Sequence, residues 1–182
     1  MKSRFILFTA AIIILMILFV GCSKRPTISK QTTSPKTGQT GKTVSMVSTV
    51  ADFEKAISNE GTWCIAITKN LTINKNLILN GDYKSGKKDA TGKAILERKI
   101  DLYGQDEDKS RLTLTVPKLT VNSPQTSIEY GTFKGNIYVS SNNFHLIKTI
   151  VKGNVYFTTD EAKSTFKMDT TSIVSGKKEL KK

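Results

Sequence analysis

The densest group of carboxylates in this 182-residue chain is Asp106-Glu107-Asp108, which follows Gly104-Gln105, with Asp101 just upstream. Clustered carboxylates hold calcium. Two acids facing across a cleft carry general acid–base chemistry on polysaccharides. Asp101, Asp106 and Asp108 are therefore a candidate calcium site, although the spacing is not that of an EF-hand loop. Arg98 and Arg111 flank the cluster, and ion pairing with it is the role expected of them. Cys64 and His145, the residues suited to thiolate chemistry, stand about 80 positions apart with no motif around either. Cys64 lies in the apolar run Trp63-Cys64-Ile65-Ala66-Ile67 and reads as a small buried hydrophobe. No P-loop, zinc spacing or Ser-centred nucleophile elbow is present. Catalysis is not expected from these residues.

The elements that position the remaining candidates come from an internal repeat. Residues 118–135 (KLTVNSPQTSIEYGTFKG) and 136–153 (NIYVSSNNFHLIKTIVKG) are each 18 long and both end Lys-Gly. A third, longer copy spans 154–176, its extra residues falling around Thr159-Asp160-Glu161-Ala162-Lys163. The opening pattern of polar, apolar, any, apolar occurs also at Asn76 and Lys99, and again at Asn70. Apolar residues alternate with period two inside each copy, which is a strand signal. Copies this short cannot hold a helix and a strand, so stacked short strands are expected: an all-β, parallel β-solenoid of about five to six rungs. The alternative is an antiparallel β-sandwich.

In the solenoid reading one inner wall carries Leu77, Leu79, Ile100, Leu102, Leu119, Val121, Ile137, Val139, Val155 and Phe157. A second carries Leu112, Leu114, Ile128, Phe144, Leu146, Phe166 and Met168. Tyr138 and Tyr156 then project outward from neighbouring rungs about 4.8 Å apart, beside Asn136 and Asn154. These four residues are the candidate ligand-binding platform, suited to sugar rings or to a protein partner. His145 aligns with Lys167 and is expected to face solvent. Residues 80–95 read as a flexible loop, and the charged tail from Lys177 to Lys182 argues against open-ended self-stacking.

Residues 48–60 read as an amphipathic helix that plugs the first rung. Val50, Phe53 and Ile57 share a face, Thr49 is the N-cap with Asp52 three residues later, and Asn59-Glu60-Gly61 ends it. A short helix followed at once by apolar strands resembles the N-terminal cap of pectin-lyase-like right-handed β-helices. The rung starts are similar to those of the short β-helices of the bactofilin kind. The first resemblance implies a right-handed coil over 61–182 and makes a polysaccharide-active lyase or hydrolase the alternative function. A non-catalytic binding or structural module is preferred, because the sequence specifies no facing pair of carboxylates.

The chain begins with Lys2 and Arg4 and continues with an apolar run from Phe5 to Val20. That run spans roughly 24 Å as a helix, short of the ~30 Å hydrocarbon core, so it reads as a secretory leader over 1–21. Leu18-Phe19-Val20-Gly21-Cys22-Ser23 resembles the lipobox of bacterial lipoproteins. The resemblance implies cleavage before Cys22, a diacylglycerol and palmitate anchor on Cys22, and a location on the outer side of a membrane. Residues 22–47 hold Lys24, Arg25, Lys30, Lys36 and Lys42 among Ser, Thr, Gln, Gly and Pro, and read as a disordered basic tether. All 15 acidic residues follow it, so the +13 net charge of the chain leaves the body only mildly basic. No basic patch for nucleic acid is legible. The expected partners are the membrane, through the lipid, and an envelope polysaccharide or a protein.

Overall fold

The computed structural model describes residues 44–104 and 111–181. The first part runs β1 (Val44–Val47), α1 (Val50–Ile57), β2 (Cys64–Ile67), β3 (Leu71–Thr72) and β4 (Leu77–Leu79). It continues with β5 (Lys84–Lys88), β6 (Ala94–Leu96) and β7 (Arg98–Asp101). Then follow β8 (Thr113–Val121), β9 (Thr126–Glu129), β10 (Thr132–Val139), β11 (His145–Ile147), β12 (Ile150–Lys152) and β13 (Val155–Phe157). The chain closes with α2 (Asp160–Ser164), β14 (Lys167–Met168), β15 (Ile173–Val174) and β16 (Lys178–Leu180).

The protein is mostly β, with two large parallel sheets. The first has the order β1-β2-β7-β9-β11-β14. The second has the path β15-β12-β10-β13-β16, with β8 beside β10 and both β3 and β4 beside β8. The ladders within these sheets are parallel. An antiparallel sandwich needs the opposite strand sense. From β7 onward the chain alternates between the sheets, visiting the first through β7, β9, β11 and β14 and the second between those visits.

Register explains the repeat. Leu77, Leu119, Ile137 and Val155 align, as do Leu79, Val121, Val139, Phe157 and Leu180. Leu71, Leu114, Phe133, Val151 and Val174 form a third inward column. Ile65, Ile100, Ile128, Leu146 and Met168 form a fourth, from the first sheet. Two expected wall assignments are corrected here. Ile100 belongs with Ile128 and not with Leu77, and Leu114 belongs to the second sheet with Phe133. Both segments alternate correctly, but alternation says which face a side chain takes and not which sheet the strand joins.

Each 18-residue copy turns at three residues with positive φ. These are Gln125, Tyr130 and Gly135 in one copy, and Asn143, Lys148 and Gly153 in the next. A Cβ on Gly135 would strike the Val116 carbonyl oxygen, and one on Gly153 the Gly135 carbonyl oxygen. The Lys-Gly endings of the copies are therefore corners where neighbouring backbones touch.

The two ends are treated differently. At the first, Thr49 caps α1, its Oγ1 accepting from the Asp52 amide at 3.1 Å and donating to Asp52 Oδ2 at 2.7 Å. Phe53, Ala56 and Ile57 are buried. Burial of the two larger side chains contributes roughly 2 kcal/mol each. Val50, expected on that face, stays 37 % exposed. At the other end Lys178 occupies the position aligned with the buried Val155. A lysine at a core-facing place on a terminal strand opposes further stacking.

Two more expectations are corrected. Val44–Val47 is not tether: it pairs in parallel with β2, and Val47 is buried against the core. Residues 80–95 are not a plain loop, because β5 and β6 pair antiparallel. Asp89 closes their turn, its Oδ1 accepting from the Thr91 amide and hydroxyl and from the Lys93 amide. Among the described residues no helix is long and apolar enough to cross a membrane.

Candidate functional site

Strands β10 and β13 place Tyr138 opposite Tyr156 on the outer face of the second sheet, because Ile137, Val139, Val155 and Phe157 on either side point inward. The ring centroids are 4.9 Å apart with the planes tilted by 46°. Ile78, Thr120, Tyr138, Tyr156 and Glu179 form one outward row across five strands. Asn136 and Asn154 are half-buried at the adjoining corner. Asn136 Oδ1 accepts from the Asn154 amide at 3.1 Å and from Asn154 Nδ2 at 2.8 Å. Asn154 Oδ1 accepts from the Lys177 amide at 2.8 Å. The asparagines thus stitch successive copies together, and the tyrosines present the rings.

Two lysines complete this platform. Lys118 Nζ lies 4.4 Å from the Tyr138 ring centroid, and Lys181 Nζ lies 4.6 Å from that of Tyr156. Lys181 also donates toward the Tyr138 hydroxyl at 3.4 Å. Sequence reasoning missed both. Lys118 was legible as the residue aligned with Asn136; Lys181 was not, because it arrives from the tail after β16.

The first sheet carries the titratable groups. Its outer face has one row of Cys64, Lys99, Ser127, His145 and Lys167, and a second of Ala66, Asp101, Glu129 and Ile147. Lys99 Nζ and Glu129 Oε2 form an ion pair at 2.9 Å, and the Ser127 hydroxyl donates to Glu129 Oε1 at 2.7 Å. Burial works against the Lys99 ammonium, but the hydrogen bond and charge of Glu129 outweigh it and hold the pKa above its usual value. Burial raises the Asp101 carboxyl, with Lys99 pulling it back. Asp101 Oδ1 accepts from the Tyr103 amide at 3.1 Å. The β5–β6 hairpin borders this face and leaves a groove of about 270 Å³ whose walls include Lys87, Leu96, Glu97, Ser127, Glu129 and His145.

Cys64 and His145 share a row but are separated by Lys99 and Ser127. Three strand spacings put them roughly 14 Å apart, so they form no thiolate–imidazole pair. Burial pushes the Cys64 thiol up to about 11. His145 is half-buried rather than solvent-facing, and its Nε2 finds no hydrogen-bond partner among the described residues. Burial, then the charge of Lys167, lowers its pKa. Arg98 does not pair with the acid cluster: its guanidinium is buried at the end of α1, beneath the Tyr83 ring at 3.8 Å.

Of the candidate calcium ligands, Asp101 is placed as above. Asp106 and Asp108 lie outside the described residues, as does Cys22. Among the described residues no three His, Cys, Asp or Glu side chains gather closely enough to hold a metal ion. A shallow depression of about 580 Å³ lies between the end of α1 and β4, with the Lys75–Glu54 ion pair (2.9 Å) and Ile78 among its lining residues. Comparison with protein-family models, with curated proteins and with solved structures returned no match.

Proposed function

We propose that this chain is an extracytoplasmic lipoprotein, anchored through lipid on Cys22, whose parallel strands wind as a short right-handed β-solenoid serving as a non-catalytic binding module. The leader and the Gly21-Cys22 step support the anchor. The return of the chain to each sheet at intervals of one copy supports the solenoid, and the strong preference of parallel crossovers supports its hand. Helix α1 is then the N-terminal cap. The observation that carries the binding role is the pair of outward tyrosines on a rigid ladder, a stacking surface already held at one strand spacing. Envelope polymers are the partners such a surface fits.

Two measurements test this reading. Metabolic labelling with palmitate should mark the parent chain and not Cys22→Ser. The purified full-length chain in detergent should bind at least one envelope glycan, and Tyr138→Ala/Tyr156→Ala should lose that binding with an unchanged circular dichroism spectrum. Failure of the parent to bind any glycan sinks the carbohydrate role.

One observation favours a second reading, a polysaccharide-active enzyme. Asp101 and Glu129 are neighbours in register on the outer face, with Lys99 beside them. Paired carboxyls are what glycoside cleavage needs. Release of reducing ends or unsaturated sugars from a polymer, lost in Glu129→Gln, would establish it.

A further inference from the structure

The outer face of the second sheet is not only aromatic; it is basic in a patterned way. Lys134 and Lys152 are directly opposite each other on β10 and β12, and both are exposed. Like charges facing across a ladder repel, and neither has an ion-pair partner among the described residues. Four residues further, past the corners at Gly135 and Gly153, stand Tyr138 on β10 and Tyr156 on β13, at most about 13 Å away at 3.3 Å per residue. Lys118 and Lys181 lie over those rings. Across this face the one acid in the register rows is Glu179, whose Oε1 is 3.8 Å from Lys177 Nζ. The first sheet differs in that no two lysines face each other across one of its ladders: Lys99 is paired with Glu129, and Lys167 stands opposite His145.

We propose that this face binds a linear polyanion of phosphodiester-linked polyol or sugar units. Phosphates lie on Lys134, Lys152, Lys118 and Lys181, and the uncharged units between them lie on Tyr138 and Tyr156. An anion laid across Lys134 and Lys152 removes their mutual repulsion, which the unbound protein has no other described group to relieve. The cations are lysines throughout. Arg98 is buried and Arg111 lies outside the register rows that carry these lysines, so no guanidinium fork stands among them to grip a planar carboxylate. Point charges suit phosphate, whose charge is spread over its oxygens. The proposal rests on the binding-module reading and names its ligand class.

The test uses the full-length chain in detergent micelles, titrated with poly(glycerol phosphate), with neutral dextran and with a single-stranded oligonucleotide, at low and at high salt. Poly(glycerol phosphate) should bind best and weaken steeply with salt. Lys134→Gln/Lys152→Gln should weaken it by about 30-fold. Both positions are exposed and their mutual repulsion is removed, so a melting temperature equal to or slightly above that of the parent is expected. An unaltered affinity in that variant overturns the proposal. Equal binding of dextran, lost only in Tyr138→Ala/Tyr156→Ala, overturns it while leaving the glycan-binding reading standing. Absence of binding to any of the three overturns the proposal, and the wider glycan screen then decides the binding-module reading. Preference for the oligonucleotide replaces the glycopolymer with a nucleic acid.

Discussion

Arg98 reaches from β7 to the far end of α1, where its Nη2 donates to the carbonyl oxygen of Ala56 at 2.7 Å and to that of Ser58 at 3.3 Å. The last carbonyls of a helix have no partner within it, and a guanidinium suits both their hydrogen bonding and the negative end of the helix dipole. Tyr83 covers the group, and its hydroxyl donates to the same Ser58 carbonyl at 2.8 Å. One buried cation therefore joins α1, the hairpin segment and the first sheet. Burial lowers its pKa to about 10. Arg98→Met should destabilise the fold by about 2–3 kcal/mol, because the buried Ala56 carbonyl loses its charged donor and the half-buried Ser58 carbonyl loses one of several. Urea denaturation followed by circular dichroism measures this. An unchanged midpoint would mean that relief of desolvation cancels the lost hydrogen bonds.

The corner glycines separate two causes of strain. Gly153 has φ +155 and no room for a Cβ, whereas Gly92 has φ +83 and open space around it. Gly153→Ala should cost about 2–3 kcal/mol through collision and backbone strain together. Gly92→Ala should cost about 1 kcal/mol, from backbone conformation alone. Thermal melts of the two variants check the difference. Equal losses would contradict a close backbone approach at Gly153.

His145 makes stability depend on mild acid. Its folded pKa is lowered, by burial and then by Lys167, while the unfolded value is near 6.5. The unfolded chain therefore binds the proton first as pH falls. The contribution of His145 to stability is present above pH 6.5 and declines below it until the folded pKa is passed. The ring is only partly buried, so the slope is shallow. His145→Gln should flatten the stability profile below pH 6.5, and an NMR titration should place the imidazole pKa below the usual value. A pKa above 6.5 would contradict the placement.

Lys178 stands where the register calls for an apolar residue, in line with Leu77, Leu119, Ile137 and Val155. Lys178→Val would carry that column to the terminal strand and leave an apolar edge. Sedimentation velocity should then show more self-association than the parent at equal concentration. No increase would mean that α2, whose Ala162 is buried, already closes that end.

Much of this fold can be read along the chain. The N-cap at Thr49, the inward positions in 118–157 and the facing of Tyr138 and Tyr156 all follow from local rules. A strand turns successive side chains to opposite faces, and identical copies stack like residues on like. Reading failed where copies depart from 18 residues. The Lys99-Ile100-Asp101-Leu102 segment alternates just as Asn76-Leu77-Ile78-Leu79 does, yet it pairs with 126–129 in the other sheet. The β1 strand was hidden by its short length and its place after a polar stretch.

Strand content, the repeat, helix α1 and the outward tyrosines are legible in the sequence, because side-chain period and helix-cap chemistry are local properties. The expectations of a leader and of lipid on Cys22 rest on the sequence alone. Tertiary structure decided which strands share a sheet. That choice placed Asp101 beside Glu129, set Lys134 against Lys152, and buried Arg98 beneath α1. It also brought Lys181 over rings many residues away. Such pairings depend on registers between distant segments, and those are chosen by the burial of the whole core rather than by any one stretch of chain.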